Sequence, residues 1–524
     1  MRRLNLDPHT TTLAVPRNSA PQEQKLLVGA AVLIGAALAI AALFLLSDIG
    51  ASSSFPYLFL LPWLFGLAVV IATPSLVLYR SGKFKIANPI VFASAFYFFP
   101  PFVVGGVILA LGGSQPFYLD FIQDPTIDLP FTVVLVAMGF SGLAVGYFMR
   151  WPKRLATRIG NRLPAFELPT NSYFLPALML AGIGIASVYV GIYSGILGFV
   201  FAEQWNSYDG LIVAATQFWM EGVFLIWFIV FKRGRLDSLA VSVLGLILLI
   251  YSVDALFSGS RAVFLRLIIA ILIAFTLSGV KMRTKHALWF GTALVVCLFI
   301  GVVYGTAFRN VKGGEDVVSI SEYSGNIFET FDSLTRDDSL ELMQFASGTL
   351  AARMEALSSL AVVVSNYEKL APYEEAYGLR NNILNDIMTF FVPRIIWNEK
   401  SQASDARKYS ELYFNYGGSS FLITPIGDLL RNFGVVGVPI GMFLLGMLLR
   451  FIYSLLIESG PVTPWKAAIY YMLLTSVNYE TFYGSIIANL VKFGFTAIVG
   501  MIIVLLFARW ISGTNVTLKS RLTH

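Results

Sequence analysis

Apolar runs of about 20 residues recur along the whole chain and limit the folds open to it. A helix of roughly 20 apolar residues crosses the ~30 Å hydrocarbon core of a bilayer. Lipid offers no hydrogen-bond partners to the backbone, so such runs cross a membrane as helices. The sequence contains these candidate spans: Leu26–Leu46, Tyr57–Tyr79, Pro89–Leu111, Pro130–Met149, Phe174–Ile196, Leu211–Phe231, Leu236–Phe257, Ala262–Gly279, Ala287–Phe308, Gly434–Ile457, Trp465–Tyr483 and Ile486–Ala508.

The composition agrees with a membrane protein and excludes the other broad classes. Of the 524 residues, 56% are hydrophobic, 14% are aromatic and only 13% are charged. Soluble domains average about 45–50% apolar and about 25% charged residues. Disordered and fibrous chains are excluded by the same figures. We therefore predict an all-α fold, a polytopic membrane helical bundle with about 12 transmembrane helices.

The loops between the candidate spans alternate in charge, which predicts their orientation. Cytoplasmic loops of membrane proteins are enriched in Lys and Arg. One set of loops is basic and the set between them is acidic or nearly neutral. Both terminal tails belong to the basic set. We therefore expect residues 1–25 and 509–524 to be cytoplasmic tails, residues 26–308 to hold nine spans and residues 434–508 to hold three.

Residues 309–433 form one large segment between the ninth and tenth candidate spans, on the periplasmic side by this count. It contains 11 Lys or Arg and 17 Asp or Glu, a net charge of −6, whereas the whole chain carries +6. The basic residues thus report topology and attraction to anionic membrane lipids, and nucleic acid is not an expected partner. Apolar residues at helical spacing predict a helix over Leu340–Val364, so the loop should be partly helical.

The residues suited to metal binding are sparse. Cys297 is the only cysteine, and His9, His286 and His524 are far apart in the sequence. Neither a cysteine cluster nor a histidine cluster can form from neighbouring positions. We expect no metal site and no cofactor.

Five arginines lie on the periplasmic side of the predicted topology, next to span ends or in the large loop. The positive-inside rule gives no reason for positive charge there. For each one alone, snorkelling or pairing with a loop carboxylate is the simpler explanation. Guanidinium binds phosphate oxygens with two parallel hydrogen bonds, so five together favour a phosphate-binding role. They are Arg261, Arg309, Arg353, Arg394 and Arg431.

Several of these arginines fall in short motifs. The motifs are Ser-Gly-Ser-Arg at 258–261, Pro393-Arg394-Ile395-Ile396-Trp397 with Lys400, Gly417-Gly418-Ser419-Ser420, Thr424-Pro425, Gly427-Asp428 and Asn432-Phe433-Gly434. Together with Arg309 they resemble the Wzy-type O-antigen and oligosaccharide repeat-unit polymerases over about Ser258 to Gly437. The N-terminal half matches that family in hydropathy alone.

The resemblance implies a membrane-embedded glycosyltransferase of the bacterial inner membrane. Such enzymes polymerise oligosaccharide repeat units carried on undecaprenyl pyrophosphate, at the periplasmic face, into O-antigen or exopolysaccharide. The implied partners are the lipid-linked oligosaccharide, a chain-length regulator and the flippase of the same pathway. The related O-antigen ligases use a histidine in the corresponding loop, and residues 309–433 contain none.

The chemistry suggests roles for the residues found. Fixed positive groups can stabilise the departing diphosphate without a metal. We assign catalysis to Arg394, Arg353 and Asp428, and substrate binding to Arg261, Arg309, Arg431, Lys400 and Trp397. The acceptor hydroxyl also needs a base, and the candidates are Asp337, Asp338, Glu341, Asp386 and Asp428. A salt bridge to Arg431 or a helix cap is the alternative for Asp428.

A secondary transporter or a lipid-linked glycan flippase is the main alternative, and a non-enzymatic scaffold is another. A transporter should keep charged residues deep in its spans. The candidate spans do contain Glu221, Asp254, Arg266, Glu480 and Lys492, and Glu480 could pair with Lys492. No repeat relates the two halves, and a single large late loop spoils the symmetry that transporters often show. The polymerase interpretation is therefore preferred.

Overall fold

The architecture comes from a computed structural model of the chain. It describes residues 55–114, 116–162, 165–166, 169–194, 196, 209–258, 261–281, 283–312, 320–335, 348, 354–389, 397, 404–417, 420–512 and 518–519.

The described residues form helices almost throughout, which confirms the all-α prediction. In chain order the helices are α1 (Leu61–Arg80), α2 (Pro89–Ala110), α3 (Pro125–Phe148), α4 (Arg150–Gly160), α5 (Phe174–Tyr193), α6 (Asp209–Arg233), α7 (Ser238–Ser258), α8 (Arg261–Leu277), α9 (Thr284–Lys312), α10 (Ile320–Thr335), α11 (Leu357–Leu370), α12 (Asn382–Thr389), α13 (Ala406–Phe414), α14 (Pro425–Tyr453), α15 (Pro464–Ser476) and α16 (Tyr483–Ser512). Short 3₁₀ turns lie at Leu58–Leu60, Phe117–Phe121, Thr170–Tyr173 and Ala371–Tyr373, and a π-helical turn, Ser454–Glu458, extends α14.

Eight helices in the described part of the chain are long and apolar enough to cross a membrane. They are Leu58–Arg80, Pro89–Ala110, Pro125–Phe148, Thr170–Tyr193, Asp209–Arg233, Ser238–Leu256, Pro425–Glu458 and Tyr483–Ile511. The chain is thus a multi-pass membrane protein. Helices α8 and α9 occupy the eighth and ninth predicted spans without being among these eight. The first predicted span, Leu26–Leu46, lies outside the described residues.

Two of the predicted spans have different bounds in the structure. The eleventh, Trp465–Tyr483, was predicted as a span although Asn478 and Glu480 interrupt its apolar run. In the structure α15 ends before them, at Ser476, after 13 residues, and is too short to cross a bilayer. The tenth was expected to begin at Gly434; the second part of α14 does begin directly after Gly434, and a further helical segment from Pro425 precedes it.

Helices α3 and α14 pack face to face through glycines. A Cβ atom at Gly142 would collide with the backbone of Pro439, and one at Gly146 with the carbonyl oxygen of Phe443. Small residues let membrane helices approach this closely. Gly142 and Gly146 therefore mark the line along which the two helices come closest.

Helix α14 is two helices joined at Gly434, whose φ of 68° and ψ of −171° are not helical. This conformation is open essentially to glycine alone. The chain folds back there, and the side chain of Leu429 fills the space left by Gly441. The first nine residues of α14, Pro425 to Phe433, therefore pack against the longer second part.

Part of the large segment packs inside the bundle. The predicted helix over Leu340–Val364 is wrong as one element, because Glu355 and Ala356 are not helical and α11 begins at Leu357. Residues 357–364 are all buried, in the same core as the apolar side chains of α2, α3 and α14. The Ala356 N–H donates to the carbonyl oxygen of Pro101 in α2 (3.1 Å).

Two short strands link distant parts of the chain. Residues Ala165–Phe166 (β1) pair antiparallel with Leu518–Lys519 (β2), with Ala165 opposite Lys519. Residue 165 follows the basic helix α4, and residue 519 belongs to the C-terminal tail. Both therefore lie at the same end of the bundle.

Candidate functional site

The first part of α14 carries a buried ion pair. Thr424 caps this helix, since its hydroxyl accepts a hydrogen bond from the Gly427 N–H (3.0 Å). Asp428 and Arg431 lie three residues apart and hence on one helix face. Arg431 Nη2 lies 2.7 Å from Asp428 Oδ1, and both side chains are fully buried.

A second carboxylate reaches the same guanidinium from the large segment. Arg431 Nη1 lies 2.7 Å from Oε1 of Glu374, whose side chain is only 6% exposed. Glu374 directly follows the 3₁₀ turn after α11. It lies 57 residues before Arg431 in the sequence. One arginine thus joins the large segment to a membrane helix.

Neutral donors complete the contacts of Asp428. Oδ1 accepts from Asn382 Nδ2 (3.0 Å), and Oδ2 accepts from the backbone N–H of Tyr483 (2.8 Å). Asn432 Nδ2 donates to Asn382 Oδ1 (2.7 Å) and to the Asp428 carbonyl oxygen (2.8 Å). The hydrogen bonds join α14 to the first residues of α12 and α16.

Aromatic rings surround the guanidinium of Arg431. Its Cζ lies 5.6 Å from the ring centre of Tyr409, 5.8 Å from that of Tyr413 and 6.0 Å from that of Phe482. Cations are attracted to ring faces at such distances. The Tyr413 hydroxyl donates to Glu374 Oε1 (2.9 Å). Burial raises the pKa of Tyr413 well above its ordinary value, so it remains a donor.

A polar cleft of about 390 Å³ lies over this network. It is lined by Ala371, Pro372, Glu374, Arg380, Asn381, Arg431 and Asn432. Two buried polar atoms beside it, Arg431 Nε and Asn432 Oδ1, make no hydrogen bond. The cleft is large enough for one or two sugar rings, and its lining is rich in hydrogen-bonding groups.

The network holds one more negative charge than positive charge. Arg431 faces two carboxylates, so the buried group of three carries a net charge of −1. Such a cluster does not attract a diphosphate, and the guanidinium is already occupied. Arg431 was expected to bind substrate phosphate; the structure places it in the ion pair with Asp428 that the sequence left as the alternative.

The other predicted site residues are spread over the chain. Arg261 is the first residue of α8, and Arg309 lies in the last turns of α9. Trp397 is 43% exposed. Arg353, Arg394 and Lys400 lie outside the described residues. Of the eight, Asp428 and Arg431 are in direct contact with each other.

The carboxylates proposed as bases differ in setting. Asp428 is 1% exposed, and both of its oxygens accept hydrogen bonds. Asp386 is also buried and accepts from the backbone N–H of Ser404 (3.3 Å) and its hydroxyl (2.8 Å). The remaining three, Asp337, Asp338 and Glu341, lie outside the described residues.

Glu355 is a buried carboxyl that the sequence reasoning missed. It is 2% exposed and lies against Gly105 of α2. Its carboxyl accepts from the backbone N–H of Ser358 (2.7 Å) and from the Ser358 hydroxyl. Burial raises the pKa of Glu355 to about 7, although the hydrogen bonds from Ser358 act in the opposite direction.

Glu374 and Asn382 were missed as well. Each lies more than 40 residues from Asp428, so no local spacing signals the contact. Glu480 and Lys492, both described, form no ion pair with each other, contrary to the pairing that the sequence allowed. No group of three His, Cys, Asp or Glu residues able to hold a metal ion occurs within the part of the chain that was described.

The fold and the site define a multi-pass helical membrane protein with a buried ion-pair network under a polar cleft. No family model matches the chain, and no solved structure matches it.

Proposed function

We propose that this protein polymerises oligosaccharide repeat units carried on undecaprenyl pyrophosphate, as the resemblance at 258–437 implies. The observation that carries the proposal is the polar cleft over Arg431, Asp428 and Glu374. Its lining combines residues 371–381 of the large segment with Arg431 and Asn432, which lie beside Asp428 and Gly434 of the two motifs. A hydrogen-bonding cleft over a network of net charge −1 suits a sugar better than a lipid tail or a free phosphate.

In this proposal the arginines divide into two groups. Arg431 is neutralised by its carboxylates, so it holds the cleft in shape, with Asp428 as a positioning residue. The diphosphate is bound by Arg261, Arg309, Arg353 and Arg394, with Lys400 and Trp397 beside them. Fixed cations in a water-poor site stabilise the charge that develops on a leaving diphosphate.

The reaction transfers a growing chain to a new repeat unit. The bond between the anomeric carbon and the diphosphate oxygen breaks, and the acceptor hydroxyl oxygen bonds to that carbon. The hydroxyl proton passes to a base, and undecaprenyl pyrophosphate leaves. Glu374 is the carboxylate that lines the cleft, and we assign the base to it. Normal ladders from Glu374→Gln at normal protein level would remove Glu374 from this role.

The location follows from the same proposal. The protein lies in the bacterial inner membrane, with both termini cytoplasmic and the cleft on the periplasmic side. The basic helix α4 and the C-terminal tail, paired through β1 and β2, then face the cytoplasm. A chain-length regulator and a flippase of the pathway are the proposed partners.

A lipid-linked glycan flippase or secondary transporter is the second candidate. Glu221, a buried carboxyl in α6 whose oxygens make no hydrogen bond, is the observation that favours it. Deletion of the gene followed by gel electrophoresis of surface polysaccharide separates the two. Loss of a polymerase should leave single repeats in place of a long ladder. Loss of a flippase should leave no exported repeat, and an unchanged ladder would contradict both.

A further inference from the structure

Glu221 lies near the middle of α6 and has no polar neighbour that satisfies it. The residue is 0% exposed, and neither carboxyl oxygen makes a hydrogen bond. A buried carboxylate without donors or a cation is among the most costly groups that a protein can hold. The closed packing of the bundle is therefore compatible with the carboxylic acid and not with the carboxylate.

Tight helix packing surrounds Glu221 on two sides. A Cβ atom at Gly500 of α16 would collide with Oε2 of Glu221. On the other side, a Cβ atom at Gly222 would lie 2.6 Å from the backbone nitrogen of Ala181 in α5. The carboxyl therefore occupies a slot that only glycine leaves open on α16, and α5 packs against the next residue of α6, Gly222.

The charged and titratable groups on the neighbouring helices do not pair with Glu221. Lys492 lies eight residues before Gly500 on α16, about 12 Å from Gly500 along the helix axis. Two tyrosines lie closer: Tyr471 of α15 stacks on Phe224 and Tyr251 of α7 stacks on Trp219, each within one turn of Glu221 on α6. Neither tyrosine donates a hydrogen bond to the Glu221 carboxyl. The remaining charged groups on the neighbouring helices are Asp254 on α7 and Arg266 on α8. The face that α5 presents here consists of Ala177, Ala181 and Gly184.

We propose that Glu221 is a proton-binding site inside the membrane bundle, separate from the polar cleft. In the closed packing the carboxyl holds its proton. Release of that proton to water leaves a carboxylate, which separates α6 from α16 to reach solvent. The ligand is a proton from the aqueous phase, and the inference stands whether or not the proposed polymerase function is correct.

The first test uses dicyclohexylcarbodiimide, an apolar reagent that adds to a protonated carboxyl and yields a stable N-acylurea. The full chain in phosphatidylcholine liposomes is treated at pH 6 and pH 9, and labelled peptides are found by mass spectrometry. We expect label on Glu221 at pH 6, at least threefold less at pH 9, and none in Glu221→Gln. Equal labelling at both pH values would overturn the proposal.

The second test covers the case in which the reagent does not reach the slot. Melting temperature is measured from pH 5 to pH 9 for the wild type and for Glu221→Gln, which keeps the shape without a titrating proton. We expect the wild type to lose several degrees as pH rises and the variant to change less. Parallel curves, together with absent label, would show that Glu221 binds no exchangeable proton.

Discussion

Arg431 and Asp428 lie one helical turn apart on α14, with Nη2 and Oδ1 separated by 2.7 Å and both side chains fully buried. The same arginine holds Glu374, and through Asn382 and Tyr483 the pair reaches α12 and α16. Burying charge costs several kcal/mol per ion and is offset only by good geometry. We therefore expect the ion pair to hold the large segment in position on the bundle, through Glu374 and Asn382, and to add little net stability.

Replacing Arg431 should destabilise the fold strongly. Arg431→Met leaves Asp428 and Glu374 buried without their cation, at a cost of about 3–5 kcal/mol. The matched control is Arg380→Met, because Arg380 also lies 2.7 Å from a carboxylate, Glu375, but on the surface. Exposed pairs contribute about 0–1 kcal/mol.

Chemical denaturation in detergent measures both variants. Neutralising the two carboxylates as well, with Asp428→Asn and Glu374→Gln, should recover part of the loss caused by Arg431→Met. Equal destabilisation by Arg431→Met and Arg380→Met would show that the buried network does not hold the large segment in place.

The stability of the fold should depend on the protonation of Glu355. Burial raises the pKa of Glu355 from 4.5 to about 7, so the folded state binds more protons than the unfolded state between these values. The contribution of Glu355 to stability is then greatest below about pH 4.5 and is lost as pH rises through about 7. The full loss is up to about 3 kcal/mol.

Glu355→Gln should remove most of this slope, since an amide does not titrate. Unfolding free energies at pH 5 and pH 8, compared with those of the wild type, measure the effect. Glu375→Gln, a change at an exposed carboxylate, serves as the control. A Glu355→Gln protein with the slope of the wild type would place the titrating group elsewhere.

The segment containing residues 371–431 was predictable only in part. The apolar runs predicted the helical bundle, because the thickness of the bilayer sets the length of a membrane-spanning helix. The pairing of Glu374 with Arg431 could not be predicted, since it depends on how the chain between these two residues, 57 positions apart, folds. The span predicted to begin at Gly434 does begin directly after it, but the turn that the positive φ of Gly434 makes is revealed by neither apolar periodicity nor charge.

The candidate site shows the same limit. Asp428 and Arg431 were recognised because they share one helix face at a spacing of three residues. Their spacing in the sequence did not reveal that the guanidinium of Arg431 forms ion pairs with two carboxylates, those of Asp428 and Glu374. Glu355 was missed because it lies among apolar residues at helical spacing. The helix is interrupted at Glu355, but the residue composition there does not indicate an interruption.

Substitution of Arg394 should stop polymer formation without loss of the protein. Arg394→Ala removes a cation that the proposal places on the diphosphate. Arg394→Lys should also lower polymer yield, by about tenfold or more, because an ammonium does not reproduce the planar two-pronged contact. Complementation of a deletion strain, with gel analysis of polysaccharide and immunoblotting of membranes, measures both variants.

The control for Arg394 is Lys408→Ala, which removes an exposed cation from the same large segment. It should leave the ladder unchanged. Full-length ladders from Arg394→Lys would refute the bidentate contact, and long polymer from Arg394→Ala at normal protein level would remove Arg394 from the site.

Reporter fusions should test the orientation of the chain. Alkaline phosphatase is active only outside the cytoplasm, so a fusion near Asn381 should be active and one near Arg158 silent. Because β1 pairs with β2, a fusion after Lys519 should be silent too. An active fusion near Arg158 would reverse the topology and place the cleft on the wrong face for a periplasmic reaction.

Reconstitution of the purified full chain tests the central claim most directly. The protein in liposomes receives a lipid-linked repeat unit and no other protein, and the products are separated by length. The polymerase account predicts a ladder of polymers with one undecaprenyl pyrophosphate released for each bond formed. Repeat units that cross the bilayer while remaining single would contradict it and favour the flippase.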